Sequence, residues 1–257
     1  MTVMNDKNSG KRAARARLAE QRAKEAAKAK RKRGLIIGGA VIAVLAVAAV
    51  IGVVVQNDRA GSGAYASPRG TVGAGGLMVP VGSPAAKAVL MVYEDPRCPA
   101  CGGFEKGFHT TLNQLEKAGK VRIEYHVVSF IDRHDNGSGS KHAAAALGCA
   151  QNAGKFHDYH DVLYANQPLE TTDPWADRAA LITLAKKVPG LDTPAFESCV
   201  NNGTYAGWVS AVEQDFDKSG YNSTPTVLLN GTSAYPTYNG QSITPASLTA
   251  AIDKIDS

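Results

Sequence analysis

Apolar residues follow two different patterns along this chain of 257 residues. Between 34 and 55 they form one uncharged run of 22 residues, whereas after 77 they come in short blocks separated by polar turns. The block at 88–93 is apolar and bounded by turn signals, which is typical of a buried strand. In 99–118, apolar residues recur at three- and four-residue spacing from Phe104 to Leu115, and this spacing predicts a helix.

The pattern after residue 77 predicts a mixed order of elements: two strands, a helix, a strand, several helices, two strands and a final helix. A compact sheet interrupted by a helical block is typical of an α/β domain with an inserted helical subdomain, here at about 139–220. The predicted strands are 77–82, 88–93, 121–130 and 226–229, with 235–238 expected to pair with the last; the predicted helices are 99–118, 141–152, 156–165, 174–187, 193–218 and 245–255.

The apolar run at 34–55 is long enough to cross a bilayer as one helix. Residues 1–33 hold twelve Lys and Arg but only three acids, and such an excess beside an apolar helix predicts a cytoplasmic N-terminus. We therefore predict a basic cytoplasmic segment at 1–33, a single transmembrane helix at 34–55, a flexible linker at 56–76 and an extracytoplasmic domain at 77–257. The alternative for the apolar run is a cleavable signal peptide ending near Ala64-Tyr65-Ala66.

The positive charge of the chain belongs to this basic leader. The formal net charge is +5, but beyond residue 33 acids outnumber Lys and Arg by 20 to 16. The leader is therefore interpreted as a topology signal with an attraction for anionic lipid, and no nucleic-acid partner is expected. All four cysteines follow the apolar run, as an oxidising compartment allows.

Cys98-Pro99-Ala100-Cys101 is the main candidate for chemistry, because two thiols three positions apart directly follow a predicted strand. If a helix begins there, its unpaired N–H groups and dipole favour a thiolate on Cys98, and Pro99 fits the first turn. Cys98 is then the nucleophile with a solvent-facing sulfur, and Cys101 is the more buried, resolving thiol. The alternatives are a permanent disulfide or half of a zinc site. A zinc site needs further ligands at similar spacing, so no metal is expected.

The CxxC pair that opens a helix, Thr224-Pro225 before the strand 226–229 and the helical block between them resemble the thioredoxin fold in its DsbA-like form. The similarity covers about 77–257 and is strongest to membrane-anchored DsbA-like proteins of actinobacteria, which share the Cys-Pro-Ala-Cys site. The resemblance implies a cis bond at Thr224–Pro225, against the CxxC pair, with the Thr224 backbone free to dock a substrate peptide. It also implies a second disulfide in the helical insertion. Cys149 and Cys199 are the candidates for that structural disulfide, and a second redox pair is the alternative.

Several further positions bear on this site. Ala100 replaces the His of the best-known DsbA proteins, so we expect a less depressed Cys98 pKa and a less extreme oxidant. Many thioredoxin-like proteins carry a buried acid six residues before the first cysteine, where this chain has Val92. Glu94 and Asp95 are the candidates to replace that acid as a proton relay, and the alternative is a solvated strand end. His160, with its neighbour His157, is expected on the solvated side of an amphipathic helix rather than at a metal.

These features predict an extracytoplasmic thiol–disulfide oxidoreductase, and the leading hypothesis is a dithiol oxidase that introduces disulfides into exported proteins. The resemblance implies reduced or unfolded exported proteins as substrates and a VKOR- or DsbB-type membrane protein as the redox partner. No cofactor is expected beyond the Cys98–Cys101 disulfide, and a monomer is expected. The alternatives are a disulfide reductase or isomerase, as in cytochrome c maturation, or a copper- or peptide-binding thioredoxin-like module.

Overall fold

The structure, a computed structural model, describes residues 65–256. The predictions for 1–33 and 34–55 lie outside these residues, as does the first part of the predicted linker. Within 65–256, no helix is both long enough and apolar enough to span a bilayer. The described residues form a mixed α/β thioredoxin-like fold with a helical insertion, as predicted.

A five-stranded sheet forms the centre of the fold. Its strands are β1 (Val79–Gly82), β2 (Ala88–Glu94), β3 (Val121–Val127), β4 (Thr226–Leu229) and β5 (Thr232–Ser233), in the order β1-β3-β2-β4-β5. Strands β2 and β3 are parallel, whereas each of the other pairs is antiparallel. A parallel pair needs a crossover connection, and the first long helix supplies it. The helix begins just after the C-terminal end of β2, a central strand, and the CxxC pair lies at this junction.

This first helix, α1 (Pro99–Lys117), follows the predicted pattern closely. Phe104, Phe108, Leu112 and Leu115 are all buried. The C-terminal helix α8 (Pro245–Asp256) packs against α1 and β2, with Leu248 and Ile252 buried. The apolar face of α1 thus packs against the sheet and against α8, and this packing positions the N-terminus of the helix.

The helical insertion begins after a short helix, α2 (Asp132–Asp135), and is organised around an Ala-rich helix, α3. Because alanine side chains are small, α3 can be enclosed by its neighbours, and most of its residues from Ala143 to Ala150 are buried. It contacts α4, α6 and α7. The helices are α3 (Gly139–Asn152), α4 (Phe156–Ala165), α5 (Arg178–Ala185), α6 (Pro194–Asn201) and α7 (Ala206–Lys218).

Two of the predicted long helices are wrong, because local caps and turns break them. The segment 174–187 is a short 3-10 helix (Pro174–Ala176) followed by α5, whose N-cap Asp177 accepts a hydrogen bond from Ala179 N at 2.9 Å. The segment 193–218 is divided into α6 and α7 at a turn containing Gly203, whose φ of 58° interrupts the helix.

The strand predictions need two corrections. The segment 121–130 leaves the sheet after Val127. The partner of β4 is β5, reached through a tight turn at Asn230-Gly231 with φ of 46° and 81°, and not 235–238. Part of 235–238 instead forms β6 (Thr237–Tyr238), which pairs with β7 (Gln241–Ser242) in a separate two-stranded sheet.

The described part of the predicted linker, 65–76, is bonded to the folded domain rather than free of it. The hydroxyls of Tyr65 and Ser67 both donate to Gly75 O, at 3.1 and 3.0 Å. Trp208 Nε1, from α7, donates to Gly76 O at 2.9 Å. Gly- and Ser-rich composition suggested flexibility, but the tryptophan donor lies more than a hundred residues away in sequence and local composition does not reveal it.

Cys149 on α3 and Cys199 on α6 form a disulfide whose Cα atoms are 6.0 Å apart. Replacing both by alanine is expected to lower the free energy of unfolding by about 4 kcal/mol, because the bond closes a loop of 50 residues in the unfolded chain. Urea unfolding measures this loss. The matched control replaces both Cys98 and Cys101 by alanine, which opens a much shorter loop and should cost less. Equal losses in the two variants would contradict the structural role of the Cys149–Cys199 bond.

Candidate active site

The CxxC pair lies at the junction between β2 and α1. Cys98 is the N-cap of α1, with an extended backbone (φ −68°, ψ 120°), and Pro99 occupies the first helical position. A proline there lacks only an N–H group that the helix would leave unpaired, so it favours the start of the helix. Pro99 and Ala100 are exposed, whereas Cys98 and Cys101 are 6% and 0% exposed. Both cysteines are free thiols.

The Cys98 thiol is held between its helix and the loop before β4. Its Sγ donates to Thr224 O at 3.4 Å, and the Thr224–Pro225 peptide bond is cis, as the resemblance implied. The pKa of Cys98 is lowered to about 6, mainly by the hydrogen bond from the Cys101 side chain and against the opposing effect of burial. The Thr224 side chain and the N–H groups of Cys101 and Ala100 contribute smaller shifts in the same direction. Cys98 is only 6% exposed, so the predicted solvent-facing sulfur overstated its exposure.

Cys101 has the opposite character. It is fully buried, and its Sγ accepts a hydrogen bond from Asp95 N at 3.5 Å. Burial raises the pKa of Cys101 well above its usual range, and the neighbouring Cys98 and the charge of Glu94 raise it further. One thiol of the pair therefore favours its thiolate and the other favours its protonated form. This asymmetry fits an attacking Cys98 and a resolving Cys101.

Glu94 and Asp95 are both 0% exposed, so the alternative of a solvated strand end is wrong. Both carboxylate oxygens of Asp95 accept backbone hydrogen bonds, from Arg97 N at 2.7 Å and Ile131 N at 2.8 Å. Burial raises the pKa of Asp95 to about 7, although these two bonds oppose the rise. Glu94 receives one bond, from His160, and its Oε2 has no hydrogen-bond partner. Glu94 therefore has one unpaired carboxylate oxygen, whereas both carboxylate oxygens of Asp95 are bonded to the backbone of the surrounding loops.

Glu94, Glu105 and His160 form a buried polar cluster, with ligand atoms that all lie within 4.8 Å of one another. It is the group among residues 65–256 with the donor types and spacing for a metal ion. The contact between His160 Nε2 and Glu94 Oε1, at 2.6 Å, is already a hydrogen bond. Burial raises the pKa of Glu105 well above its usual range, and the charge of Glu94 raises it further. The cluster can thus hold protons without any ion.

Sequence reasoning missed His160 and Glu105 as site residues. His160 is 1% exposed, so its predicted place on the solvated side of a helix is wrong. The spacing contained the signal, because His160 lies four residues from both Phe156 and Tyr164, which are buried on the same face of α4. Glu105 lies four residues after Cys101 on the buried face of α1. A polar residue at an apolar position of a helical pattern indicates a buried, paired group.

Arg97, directly before Cys98, connects the active-site loop to the helical insertion. Its guanidinium is 0% exposed and lies 2.9 Å from Asp132, 2.5 Å from Asp135 and 3.4 Å from Asp173. Asp132 in turn accepts from Ser140 N and Lys141 N, both at 2.9 Å, in the first turn of α3. The Arg97 guanidinium thereby joins the active-site loop to α2 and to the loop at Asp173.

Gln167, in the loop after α4, makes a second connection to the site. Its Nε2 donates to Pro96 O at 2.9 Å and to Cys98 O at 2.8 Å. This approach requires Gly102, since a Cβ atom at that position would lie 2.0 Å from Gln167 Oε1. The insertion thus fixes the backbone on which both thiols are carried.

A thioredoxin family model matches residues 75–254, which include the sheet, the CxxC pair and the helical insertion. The chain belongs to the thioredoxin family. Among solved structures, the oxidised DsbA of Mycobacterium tuberculosis is 34% identical with a TM-score of 0.59, over 69% of this chain and 92% of that one. This similarity, together with the similarity to other disulfide oxidoreductases and to a disulfide bond formation protein, identifies the chain as a DsbA-like thiol–disulfide oxidoreductase.

Two curated relatives extend the comparison. The probable disulfide bond formation protein D of Bacillus cereus is 26% identical over 222 residues, which are 83% of this chain and 92% of that protein. The serine/threonine-protein kinase PknE of Mycobacterium tuberculosis is 27% identical over 133 residues, 49% of this chain. The match covers only 23% of the length of PknE.

The Ala100 position gives a direct test of how the dipeptide tunes Cys98. Replacing the exposed Ala100 by histidine is expected to lower the pKa of Cys98 below its value of about 6, because an imidazolium beside the sulfur favours the thiolate. Thiolate absorbance near 240 nm, followed against pH, measures this value. Ala100→Gln is the matched control, with a similar size and no charge. An equal Cys98 pKa in the histidine and glutamine variants would contradict the expectation.

Proposed function

We propose that this protein is an extracytoplasmic dithiol oxidase that introduces disulfides into exported proteins through Cys98 and Cys101. The observation that carries the proposal is the asymmetry of the two thiols at the start of α1. Cys98 has a pKa lowered to about 6, whereas the pKa of Cys101 is raised well above its usual range. A stable Cys98 thiolate stabilises the reduced protein and makes Cys98 a good leaving group, and both effects favour oxidation of the substrate.

The exchange follows two steps. A substrate thiolate attacks Cys98 Sγ of the disulfide form, a mixed disulfide forms, and Cys101 leaves as a thiolate that takes up a proton. A second substrate thiolate then attacks the substrate sulfur of the mixed disulfide, and Cys98 leaves as its stabilised thiolate. The substrate gains a disulfide and the protein leaves as a dithiol. The Thr224 backbone, beside Cys98, is the docking edge for the substrate peptide.

Glu94 is the proton relay for Cys101 in this mechanism. It is buried, it raises the pKa of Cys101 through its charge, and one of its carboxylate oxygens has no hydrogen-bond partner. Asp95 contributes mainly by position, since its N–H bonds Cys101 Sγ and its carboxylate holds the backbone of Arg97 and Ile131. No metal or organic cofactor takes part in the proposed reaction.

The support for the proposed compartment and partners comes mainly from the sequence. The basic segment 1–33 and the apolar run 34–55 support a membrane anchor with a cytoplasmic N-terminus. The Cys149–Cys199 disulfide supports an oxidising compartment on the other side. There the protein acts as a monomer on reduced exported proteins. A membrane protein of the VKOR or DsbB type restores the Cys98–Cys101 disulfide.

Oxidative folding of reduced, unfolded RNase tests the proposal. The oxidised full-length protein should regain RNase activity and lose its own disulfide in equal measure. Reduction of insulin disulfides by the dithiol form is the matched assay for the reverse direction. Faster reduction of insulin than oxidation of RNase, under one glutathione buffer, would assign the protein to the reductases. Copper binding by the dithiol form with no turnover in either assay would assign it to a binding module.

A further inference from the structure

The buried cluster beside Cys101 has polar atoms that the fold itself leaves unused. Glu94 Oε2, Glu105 Oε1 and His160 Nδ1 are all buried without a hydrogen-bond partner. Burying such atoms is costly, so their presence calls for an explanation. Burial lowers the pKa of His160, but the charge of Glu94 and the nearby carboxylate of Asp161 outweigh it and place the pKa of the imidazole well above its usual range.

The cluster continues to the protein surface through Asp161 and His109. His160 Nδ1 lies 3.8 Å from Asp161 Oδ1, and Asp161 Oδ2 lies 2.9 Å from Nε2 of the exposed His109 on α1. A cavity of about 590 Å³ opens there between α1 and α4. Glu105, His109 and Asp161 all line it. At one end of this row Glu94 is close enough to Cys101 for its charge to raise the pKa of that thiol, and the other end reaches the cavity.

The other titratable groups packed against the cluster are two phenols and Asp95, and Lys106 and Lys187 line the cavity at the outer end of the row. Tyr125 on β3 and Tyr164 on α4 pack against the His160 ring, with centroids 4.7 and 4.8 Å apart, and burial raises the pKa of both phenols. Asp95 uses both carboxylate oxygens for backbone hydrogen bonds. Glu94, Glu105, His160, Asp161 and, at the solvent end, His109 are therefore the groups that can exchange protons along this row.

We infer that Glu94, Glu105 and His160 form a proton path from the cavity between α1 and α4 to Cys101, so that the helical insertion supplies the proton for the resolving thiol. The inference rests on the proposed exchange through Cys98 and Cys101. His160 and Glu105 are positioning residues, because they act on Cys101 through Glu94.

The step balances without any further reagent. The substrate thiolate attacks Cys98 Sγ, the Cys98–Cys101 bond breaks, and its electron pair moves to Cys101 Sγ. That sulfur takes one proton through Glu94, whose carboxylate accepts a proton from His160 or Glu105 and passes it on, and the cluster recovers that proton from solvent at the cavity. The sum is one substrate thiolate, one protein disulfide and one proton giving one mixed disulfide and one Cys101 thiol. Regeneration runs the same path outward.

The physical advantage is the removal of a buried anion. Cys101 is fully buried, and a thiolate left there would be strongly disfavoured beside the charge of Glu94. Proton transfer by a positioned group contributes about a hundredfold or more to reactions of this kind. The path also begins at a cavity whose lining does not include Thr224, the residue beside which the substrate covers Cys98.

Glu105→Gln is the sharpest test, because an amide matches the shape of the protonated carboxyl that burial favours but cannot release a proton. His160→Gln is the second variant, since its amide can still donate to Glu94. The rate at which a dithiol peptide reduces the Cys98–Cys101 disulfide of the full-length protein is measured from pH 5 to 9, in H2O and D2O. His157→Gln, on the less buried side of the same helix, is the matched control.

We expect both variants to react at least about tenfold more slowly at pH 7, with a larger solvent isotope effect and an altered pH profile. The Cys98 thiolate titration, the melting temperature and the His157→Gln rates should stay unchanged. Rates within twofold of wild type, or slowing matched by a shift in the Cys98 titration, would overturn the path. Loss of exchange on chelation and its return with Zn²⁺ would also overturn it, by assigning the cluster to a metal. Because this assay needs only direct exchange, its result is independent of whether the protein oxidises RNase.

Discussion

Replacing Cys98 by serine is expected to reduce thiol–disulfide exchange to the rate seen without protein. A serine hydroxyl cannot form the mixed disulfide, and Cys101 cannot take over the attack. It is fully buried, and its raised pKa leaves little thiolate at neutral pH. Oxidation of reduced RNase, followed by the loss of free thiols, measures the effect. Substantial residual exchange in Cys98→Ser would contradict the assignment of Cys98 as the attacking and leaving group.

Cys101→Ser is the matched control for this experiment. It keeps Cys98 but removes the resolving thiol. When Cys98 attacks a substrate in its disulfide form, one substrate thiolate leaves and no Cys101 thiol can release the mixed disulfide, so mixed disulfides between Cys98 and substrate should accumulate. These complexes are visible on a non-reducing gel and disappear on reduction. Accumulation in Cys98→Ser instead of Cys101→Ser would reverse the two roles.

Replacing Arg97 by methionine is expected to lower the free energy of unfolding by about 3 kcal/mol, near the lower end for a broken buried ion pair. Methionine keeps the length of the side chain but leaves Asp132, Asp135 and Asp173 facing one another without their cation. These carboxylates are 11%, 33% and 21% exposed, so solvent screens part of their repulsion. Urea unfolding of the oxidised protein measures the change.

Arg133→Met provides the comparison for that loss. Arg133 also contacts two acids, Glu213 and Asp217, but its own side chain is 43% exposed. Exposed ion pairs contribute about 1 kcal/mol or less, so this variant should be only slightly destabilised. Equal losses in the two variants would contradict the role of Arg97 as the buried centre that joins the active-site loop to the insertion.

The fold and the reacting thiols could be predicted because local signals specify them. A buried strand, a CxxC pair and a Pro at the first helical position place Cys98 at a helix N-terminus without any knowledge of distant contacts. The turn at Asn230-Gly231 was likewise visible from two residues. The strand that follows that turn was assigned too late in the chain, because two-residue strands such as β5 carry almost no periodicity.

The groups around Cys101 could not be predicted in the same way, since their burial depends on partners far away in sequence. Glu94 and His160 are 66 residues apart, and each one alone suggests an exposed charge. Arg97 depends on two aspartates of α2 and on Asp173 in the loop before the 3-10 helix. Only the tertiary fold brings these charges together, so the sequence identified the reacting atoms but not the groups that control their protons.

The reduction potential of the Cys98–Cys101 pair, set against glutathione buffers, tests the central claim most directly. A Cys98 pKa of about 6 lies between those of thioredoxin, about 7, and DsbA, about 3.5. Thiolate stabilisation favours the reduced protein, so we predict a potential less negative than about −200 mV but below the value of about −120 mV for DsbA. A potential near −270 mV, that of thioredoxin, would make the pair a reductant and contradict the account.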